Sequence, residues 1–295
     1  MSYRSGFVAL VGRPNVGKST LLNALLGSKL SIVTPRPQTT RDRVVGILNL
    51  PGGQIAFVDT PGLHSGEPRA LNRAMNRTAT AALTDADLVV FMVEALRFTE
   101  EDEEALKRLR GARRPAIAAI NKIDRLHDRA LLLPFIAQLA TRPEFSEIVP
   151  ISALRAANLE ALQQVILGQL PEAPAMFPPD QLTDRSERFR IAESIREKLT
   201  LELNQEVPYG IAIEIETFNA TDDGRTEVGA VIWVDRAGQK PIVIGAGGER
   251  LKRVGRAARL ELNQLFGRRF HITLWVKVRE NWADDARALQ QLGLE

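Results

Sequence analysis

The sequence predicts a doubly wound, mostly parallel α/β domain followed by a smaller α+β domain. Short apolar runs alternate with helical patterns through the first part of the chain, which indicates a parallel sheet covered by helices on both faces. The stretch from Leu170 to Asp180 then contains four prolines, a composition typical of a stiff, extended connector. The expected boundaries are therefore 1–172 for the first domain, 173–182 for the linker and 183–295 for the second domain.

The composition is that of a soluble globular protein. Of the 295 residues, 44% are hydrophobic and 25% are charged, and no apolar stretch approaches the ~20 residues of a membrane span. The chain has no cysteine, which excludes disulfides, thiolate metal sites and cysteine nucleophiles and suits a reducing cytoplasm. The net charge of +3 is too small to indicate a partner, so local clusters of charge matter more.

A glycine loop near the N-terminus is the strongest site signal. The run Phe7–Val11 predicts a buried strand, and Leu21–Leu26 predicts a helix that ends at Gly27. The pattern G-x-x-x-x-G-K-[ST] between them is typical of a loop whose backbone N–H groups bind phosphate. We expect Lys18 to reach the β- and γ-phosphates and Ser19 to bind Mg²⁺. The nucleotide-binding residues expected here are Gly12, Arg13, Pro14, Asn15, Val16, Gly17, Lys18, Ser19 and Thr20.

Two later segments are expected to face the same phosphates. The polar stretch 31–42 predicts a loop in which Thr39 or Thr40 completes the Mg²⁺ coordination, the alternative being an ordinary threonine-rich turn. A β-hairpin follows, and a carboxylate ends its second strand, where open α/β sheets bind ligands. We expect Asp59 to hold Mg²⁺ through water and the Gly62 N–H to bond the γ-phosphate. The expected site residues of this segment are Asp59, Thr60, Pro61 and Gly62.

An N-K-x-D sequence follows a later buried strand and predicts a guanine site. Asp124 is expected to accept hydrogen bonds from N1–H and the exocyclic amine of guanine, whereas adenine would leave it unpaired. Asn121 is expected to brace the loop, and the Lys122 stem to pack along the ring. The N–H of Ala153 is expected to bond O6. A charged surface turn is the alternative interpretation. The expected residues are Asn121, Lys122, Asp124, Ser152, Ala153 and Leu154.

The second domain carries a glycine turn followed by a basic helix. A helix is expected over 183–204, strands at 211–216, 226–234 and 270–278, and the periodicity of Ile242–Ile244 favours a further strand. Between positions 250 and 279 there are nine Lys/Arg residues against one acid, which indicates a local basic patch rather than a basic domain.

The order of the five first-domain motifs resembles the translation-factor-like branch of GTPases, and Gln38–Arg41 with Asp59–Leu63 resemble the Era family within it. This resemblance implies that Thr40 contacts Mg²⁺ and that turnover is slow. Leu63 stands where many GTPases carry a water-orienting glutamine. The resemblance also implies that Asn15 helps to bind K⁺ for catalysis, the alternative being that it only shapes the turn. The expected catalytic residues are Lys18, Thr40, Gly62 and Asn15.

The stretch Ile242–Leu251 resembles the I-I-G-x-x-G-x-x-[IL] segment of a KH domain. That resemblance makes Ile242–Ile244 a short helix, against its periodicity, and implies the type II order α-β-β-α-α-β. Both middle residues of the glycine loop are neutral, whereas family members often carry a lysine there. The expected RNA-binding residues are Gly245, Ala246, Gly247, Gly248, Arg250, Lys252, Arg253 and Arg256.

A GTPase domain, a C-terminal KH domain and the tail beginning at Trp282 resemble the Era family over the whole chain. The resemblance implies a monomer that binds 16S rRNA near its 3′ end, assists 30S subunit assembly and contacts the membrane peripherally. Two alternatives stay open: an RNA-modification GTPase that acts with a partner enzyme, and an RNA-binding scaffold whose nucleotide is structural. Trp282 is expected either to anchor the terminal helix or to stack on a base.

Overall fold

A computed structural model of the chain describes residues 2–36, 39–62, 70–203, 207–222 and 224–291. Apart from two short segments that group with the second unit, the chain divides after Asp184 into two compact units, and each contains its own sheet. The expected fold class, an α/β unit followed by a smaller α+β unit, is confirmed. Among the described residues, no helix is both long enough and apolar enough to cross a membrane.

The first unit is built on a six-stranded sheet. The strand order is β2-β3-β1-β4-β5-β6, and all neighbours are parallel except the β2–β3 hairpin at one edge. The strands are β1 (Arg4–Val11), β2 (Val44–Leu50), β3 (Gly53–Asp59), β4 (Leu88–Glu94), β5 (Ala116–Asn121) and β6 (Phe145–Pro150). The helices are α1 (Lys18–Leu26), α2 (Ala70–Asp85), α3 (Glu100–Ala112), α4 (Leu132–Ala140) and α5 (Leu159–Gln169).

The central strands are buried on both faces, which explains why their sequences are continuous apolar runs rather than alternating patterns. Side chains of β4 and β5 pack against α3 and α4 in one core cluster. Because β1, β3, β4, β5 and β6 run parallel, their carboxyl ends meet along one edge of the sheet. The predicted nucleotide motifs follow these strand ends, so the topology places them together.

The proline-rich stretch is packed against the first unit. The buried side chain of Gln54 accepts hydrogen bonds from the N–H groups of Met176 and Phe177 at 2.8 and 2.9 Å. The Ile47 N–H donates to the Leu182 carbonyl oxygen at 2.9 Å. Residues 173–182 therefore belong to the first unit in this structure, and the division between units follows Asp184.

The second unit is a three-stranded sheet with helices packed on it. The order is β7-β8-β9, with β7–β8 antiparallel and β8–β9 parallel. Its elements follow the expected α-β-β-α-α-β order and end in a short helix. They are α6 (Glu187–Glu202), β7 (Ile211–Ala220), β8 (Arg225–Val234), α7 (Gln239–Ile244), α8 (Glu249–Phe266), β9 (Arg269–Val278) and α9 (Ala286–Gln291).

Two local expectations need correction. The helix expected from 183 begins at Glu187, because Ser186 caps it by accepting a hydrogen bond from the Phe189 N–H. The Thr183 hydroxyl instead donates to the Val45 carbonyl oxygen at 2.7 Å. The periodicity of Ile242–Ile244 favours a strand, but these residues end α7, as the KH resemblance implies.

Candidate nucleotide site and RNA groove

The phosphate loop lies between β1 and α1 and packs against neighbouring strand ends. Gly12 and Gly17 have φ angles of 151° and 110°. A Cβ at Gly12 would lie 2.6 Å from the Met92 carbonyl oxygen, and a Cβ at Gly17 would lie 2.4 Å from Asn121 Nδ2. Both positions therefore require glycine, since a side chain would push the loop away from β4 and β5.

Lys18 is held inside the curve of this loop. Its Nζ donates to the carbonyl oxygens of Gly12 and Arg13 at 2.9 and 3.2 Å. Burial lowers the pKa of Lys18 to about 8, although the Asp59 carboxylate opposes that shift. A phosphate anion beside the ammonium group would favour its charged form, so this position suits a phosphate-binding lysine.

The residues expected to hold Mg²⁺ come together from three separate segments. The Ser19 hydroxyl donates to Asp59 Oδ2 at 2.7 Å and lies 2.9 Å from Thr40 Oγ1. The Thr39 hydroxyl instead donates to the Arg36 carbonyl oxygen at 2.7 Å. Of the two threonines that the sequence left open, the structure therefore brings Thr40 to the site.

The donor set fits a divalent cation. Asp59 is fully buried, and within the described residues its Oδ1 has no hydrogen-bond partner. Burial raises the pKa of Asp59, although Lys18 and the Ser19 hydrogen bond oppose the shift. Hydroxyl and carboxylate oxygens are the ligands that Mg²⁺ prefers, and a cation would satisfy the unpartnered oxygen.

The segment after β3 closes against the phosphate loop. The Thr60 hydroxyl donates to the Leu10 carbonyl oxygen at 3.2 Å. A Cβ at Gly62 would lie 3.2 Å from Pro14 Cγ, so the backbone at Gly62 approaches the loop closely. Leu63 lies outside the described residues.

Asn121 links the guanine motif to the phosphate loop. Its Nδ2 donates to the Val16 carbonyl oxygen at 2.8 Å, and its Oδ1 accepts the Ala153 N–H at 2.9 Å. The residue is 2% exposed, so water does not compete for these bonds. This geometry suits the expected bracing role. The Ala153 N–H, expected to bond guanine O6, is engaged by Asn121 here.

The carboxylate expected to read guanine is also held in place. Asp124 accepts a hydrogen bond from the Ser152 hydroxyl, and Ser152 Oγ accepts the Arg155 N–H at 3.1 Å. Leu154 is 68% exposed beside this loop. The hydrogen bonds orient Asp124 before any base is bound.

Glu94, which sequence reasoning missed, joins the two motifs electrostatically. Its carboxylate pairs with Arg13 of the phosphate loop, with Lys122 at 3.1 Å and with Arg125 at 3.4 Å. Arg13 Nε also lies 3.4 Å from the fully buried Asp102. The Arg13 side chain therefore binds acids behind the loop. An acid at the carboxyl end of a buried strand was the available signal.

Asn15 connects the phosphate loop to the segment that carries Thr40. It is exposed, has φ 58°, and its Nδ2 donates to the Pro35 carbonyl oxygen at 3.2 Å. This left-handed conformation is one that asparagine tolerates better than most residues. The contact fits a turn-shaping role, and a potassium role for Asn15 stays a prediction.

The glycine loop of the second unit joins α7 to α8. Gly245, Gly247 and Gly248 have φ angles of 76°, 57° and 79°. A Cβ at Gly245 would lie 2.8 Å from Arg250 Cβ, whereas nothing lies within 4 Å of a Cβ at Gly247 or Gly248. The open side of this loop, which includes Ala246, allows a nucleic-acid backbone to approach closely.

A groove of about 540 Å³ runs from this loop between α8 and β9. Lys252 and Arg256 line it, as does Gly248. Arg259 and His271 also line it, although the sequence prediction omitted both. The spacing of Lys252, Arg256 and Arg259 places them on one helix face, which was the available signal.

Two of the expected RNA-binding arginines have other partners. Arg250 donates to the Ile242 carbonyl oxygen, and Arg253 pairs with Glu202 at 2.8 Å.

Trp282 is fully buried and donates its indole N–H to the Gly210 carbonyl oxygen at 3.2 Å. The tryptophan therefore anchors the C-terminal tail rather than presenting a face to a base.

Family models match both parts of the chain. One described as a 50S ribosome-binding GTPase matches residues 7–122, and one described as a KH domain matches residues 206–283. A GTPase Era from Marinobacter nauticus is 51% identical over 292 residues, covering 99% of this chain and 95% of its own length. A GTPase Era from Stenotrophomonas maltophilia is 51% identical over 294 residues and is covered to 98%.

Solved structures agree with these relatives. A variant of Aquifex aeolicus Era bound to GDP and AlF4⁻ superposes with a TM-score of 0.95 at 41% identity, with 99% of each chain covered. An Era structure in complex with MgGDPNP and nucleotides 1506–1542 of 16S ribosomal RNA has the same TM-score, identity and coverage. The chain belongs to the Era family of GTPases.

Proposed function

We propose that this GTP hydrolase turns over slowly, binds 16S rRNA near its 3′ end and assists assembly of the 30S subunit. The observation that supports its nucleotide chemistry best is the meeting of Ser19, Thr40 and Asp59 beside Lys18. The relatives named above, one of them solved with a 16S rRNA fragment, support the RNA assignment.

The first unit supplies the groups that phosphoryl transfer needs. Backbone N–H groups of residues 12–20 bind the phosphates, and Lys18 neutralises charge that develops on the β- and γ-phosphate oxygens. Ser19 and Thr40 would hold Mg²⁺ directly and Asp59 through water; when bound, the ion neutralises phosphate charge. The Gly62 N–H would donate to the γ-phosphate.

Base selection is tested by changing Asp124. With Asp124→Asn, the side chain presents an amide N–H₂ that suits a base carrying a carbonyl in place of the guanine amine. We expect preference to move from GTP to xanthosine triphosphate in competition binding with a fluorescent nucleotide. Ser152→Ala, which removes the orienting hydroxyl only, should weaken GTP binding without that change of preference. Unchanged selectivity in Asp124→Asn would remove the guanine assignment.

Water activation is the part of the reaction for which we propose a potassium ion. Leucine at position 63 cannot orient water by hydrogen bonding, and Asn15 is the loop side chain available to bind a monovalent cation. We expect GTP turnover to be faster in KCl than in NaCl at equal ionic strength, and Asn15→Ala to remove that difference. Equal rates in the two salts would exclude the potassium role.

The groove of the second unit is proposed to bind single-stranded RNA. Replacing Lys252, Arg256 and Arg259 by glutamine should weaken binding of a 16S 3′-terminal oligonucleotide and reduce its salt dependence. Arg253→Gln is the matched comparison on the same helix, and we expect a smaller loss because Arg253 is paired with Glu202. An unchanged salt slope in the triple variant would contradict the groove assignment.

We also propose that the protein is cytoplasmic and monomeric and contacts the membrane only peripherally. Light scattering after gel filtration should return the mass of one chain. Flotation with vesicles of phosphatidylglycerol at low and physiological salt tests the membrane contact. Sedimentation with 30S subunits in GTP or GDP tests the role in assembly, and absence from the 30S fraction in both would argue against it.

A further inference from the structure

The second unit carries another cationic surface beyond the groove between α8 and β9. It consists of three arginines stacked on three aromatic rings, which we call the arginine–phenylalanine cluster: Arg188, Arg190, Arg268, Phe218, Phe266 and Phe270. The proposed RNA groove does not include any of these six residues.

The guanidinium groups contact the ring faces. The Arg190 Cζ lies 4.7 Å from the Phe266 centroid, and the Arg268 Cζ lies 5.7 Å from the same centroid and 5.3 Å from that of Phe270. The Arg188 Cζ lies 5.4 Å from the Phe218 centroid. Stacking uses the face of each guanidinium group and leaves its N–H edge for hydrogen bonding.

Some of these N–H donors have no acceptor. Over the ranges that the structure describes, Nε of Arg190 and Nε of Arg268 are buried without a hydrogen-bond partner. Arg268 pairs through Nη2 with Glu187 at 2.7 Å. Burial lowers the pKa of Arg190, with Glu187 acting in the opposite direction. An anion bound by the exposed part of these guanidinium groups would offset the cost of partly burying their charge.

The cluster continues the line of the groove. On α8 the groove-lining residues end at Arg259, and Phe266 follows seven residues later, two helical turns or ~10 Å along the same face. On β9 the groove-lining residues begin at His271. The chain positions of Arg268 and Phe270 precede this end of the groove, although the Phe270 side chain packs on the opposite face of the strand from His271. An RNA strand that leaves the groove between Arg259 and His271 therefore runs towards the cluster.

We propose that the arginine–phenylalanine cluster binds phosphates of the RNA segment that leaves the groove at its Arg259–His271 end. This inference rests on the proposed RNA-binding function. A KH groove holds about four nucleotides, so the cluster contacts only an RNA that is longer than the groove. Arginine–phosphate hydrogen bonds from the exposed guanidinium N–H groups, with the rings holding the guanidinium planes in place, provide the affinity.

The test compares RNA lengths with the full-length protein. Fluorescence anisotropy measures the affinity for a short 16S 3′-terminal oligonucleotide that fills the groove and for the same RNA extended at its 5′ or 3′ end. We expect extension at one end to raise wild-type affinity at least tenfold. Arg190→Gln/Arg268→Gln should lose that gain, keep the short-RNA affinity within twofold and lower the salt slope by about 0.7 per lost phosphate contact.

Two further variants separate phosphate binding from folding. Arg129→Gln/Arg287→Gln removes the same charge from exposed positions outside the cluster and should keep the length-dependent gain. Arg190→Lys/Arg268→Lys keeps the charge but loses the planar fork, and should retain part of the gain.

The outcomes distinguish this inference from the function on which it rests. If the wild type does not bind the short RNA, the groove assignment fails. If it binds the short RNA but extension adds no affinity, or the double glutamine variant keeps the gain, the cluster proposal is wrong. Equal loss for short and long RNA would mean that the cluster supports the fold. Loss of binding to phosphatidylglycerol vesicles with RNA affinity intact would assign the cluster to a lipid surface instead.

Discussion

Asn121 offers the sharpest test of how the nucleotide site is held together. Replacing it by alanine leaves the Val16 carbonyl oxygen and the Ala153 N–H without their shared partner. Each of the two buried orphans costs about 1–3 kcal/mol, so the first unit should lose roughly 2–6 kcal/mol of unfolding free energy. Bulk water does not reach this position, which is 2% exposed.

The assay can use the two units as internal controls. All three tryptophans, at positions 233, 275 and 282, lie in the second unit, so tryptophan fluorescence follows that unit, whereas far-ultraviolet circular dichroism follows both. In urea, Asn121→Ala should lower the dichroism midpoint and leave the fluorescence midpoint unchanged. If GTP binding has to restore the geometry of the loops at a cost of ~2 kcal/mol, GTP affinity should fall by about 30-fold.

Asn49→Ala is the matched comparison. Asn49 also takes part in two side-chain hydrogen bonds, to Pro179 and from Gln54, but it is exposed. Water can replace these bonds, so we expect less than about 1 kcal/mol of destabilisation. If both variants lower the dichroism midpoint equally, burial does not determine how much unfolding free energy is lost, and the bracing role of Asn121 is wrong. An unchanged dichroism midpoint in Asn121→Ala would refute the bracing role directly.

Glu94, Gly17 and Trp282 each occupy a position where a single substitution tests the geometry. Glu94→Gln should lower the urea midpoint at neutral pH. Burial alone would raise the pKa of Glu94, but its basic partners hold that pKa below the usual value. The stabilisation that the Glu94 carboxylate provides is therefore lost as pH falls through the lowered pKa. The difference in urea midpoint between Glu94→Gln and wild type should shrink in acid. Gly17→Ala should abolish GTP binding measured by fluorescent nucleotide, because a Cβ would lie 2.4 Å from Asn121 Nδ2. Trp282→Ala should destabilise the second unit by about 3–5 kcal/mol in calorimetry, and Trp282→Phe by less.

The ion-pair cluster around Glu94 explains how the phosphate loop and the N-K-x-D segment are held beside each other at one edge of the sheet. Arg13 belongs to the phosphate loop and Lys122 to the guanine loop, and both bind the same carboxylate. Removing the Glu94 carboxylate leaves the partly buried charges of Arg13 and Lys122 without their counter-charge. Both loops should therefore be destabilised by a substitution at Glu94. Asn121 achieves the same connection with neutral hydrogen bonds.

The nucleotide motifs could be recognised from sequence because each is contiguous and follows a buried strand. Gly12–Thr20 and the N-K-x-D segment need only local spacing to place their functional groups at a strand end. The KH resemblance likewise predicts a helix at Ile242–Ile244, where periodicity alone favours a strand. A short apolar run cannot distinguish a buried strand from a buried helix.

The amino-acid order by itself determined the fold class, and its resemblance to known families indicated a GTPase unit followed by a KH unit and where the phosphate and guanine motifs lie. Only the tertiary structure decided between Thr39 and Thr40, joined Glu94 to Arg13, and packed the proline-rich stretch against the first unit. It also added Arg259 and His271 to the groove that Lys252 and Arg256 line. The reason is physical: local spacing fixes the side chains of one segment, but the partner that each side chain meets depends on how distant segments pack.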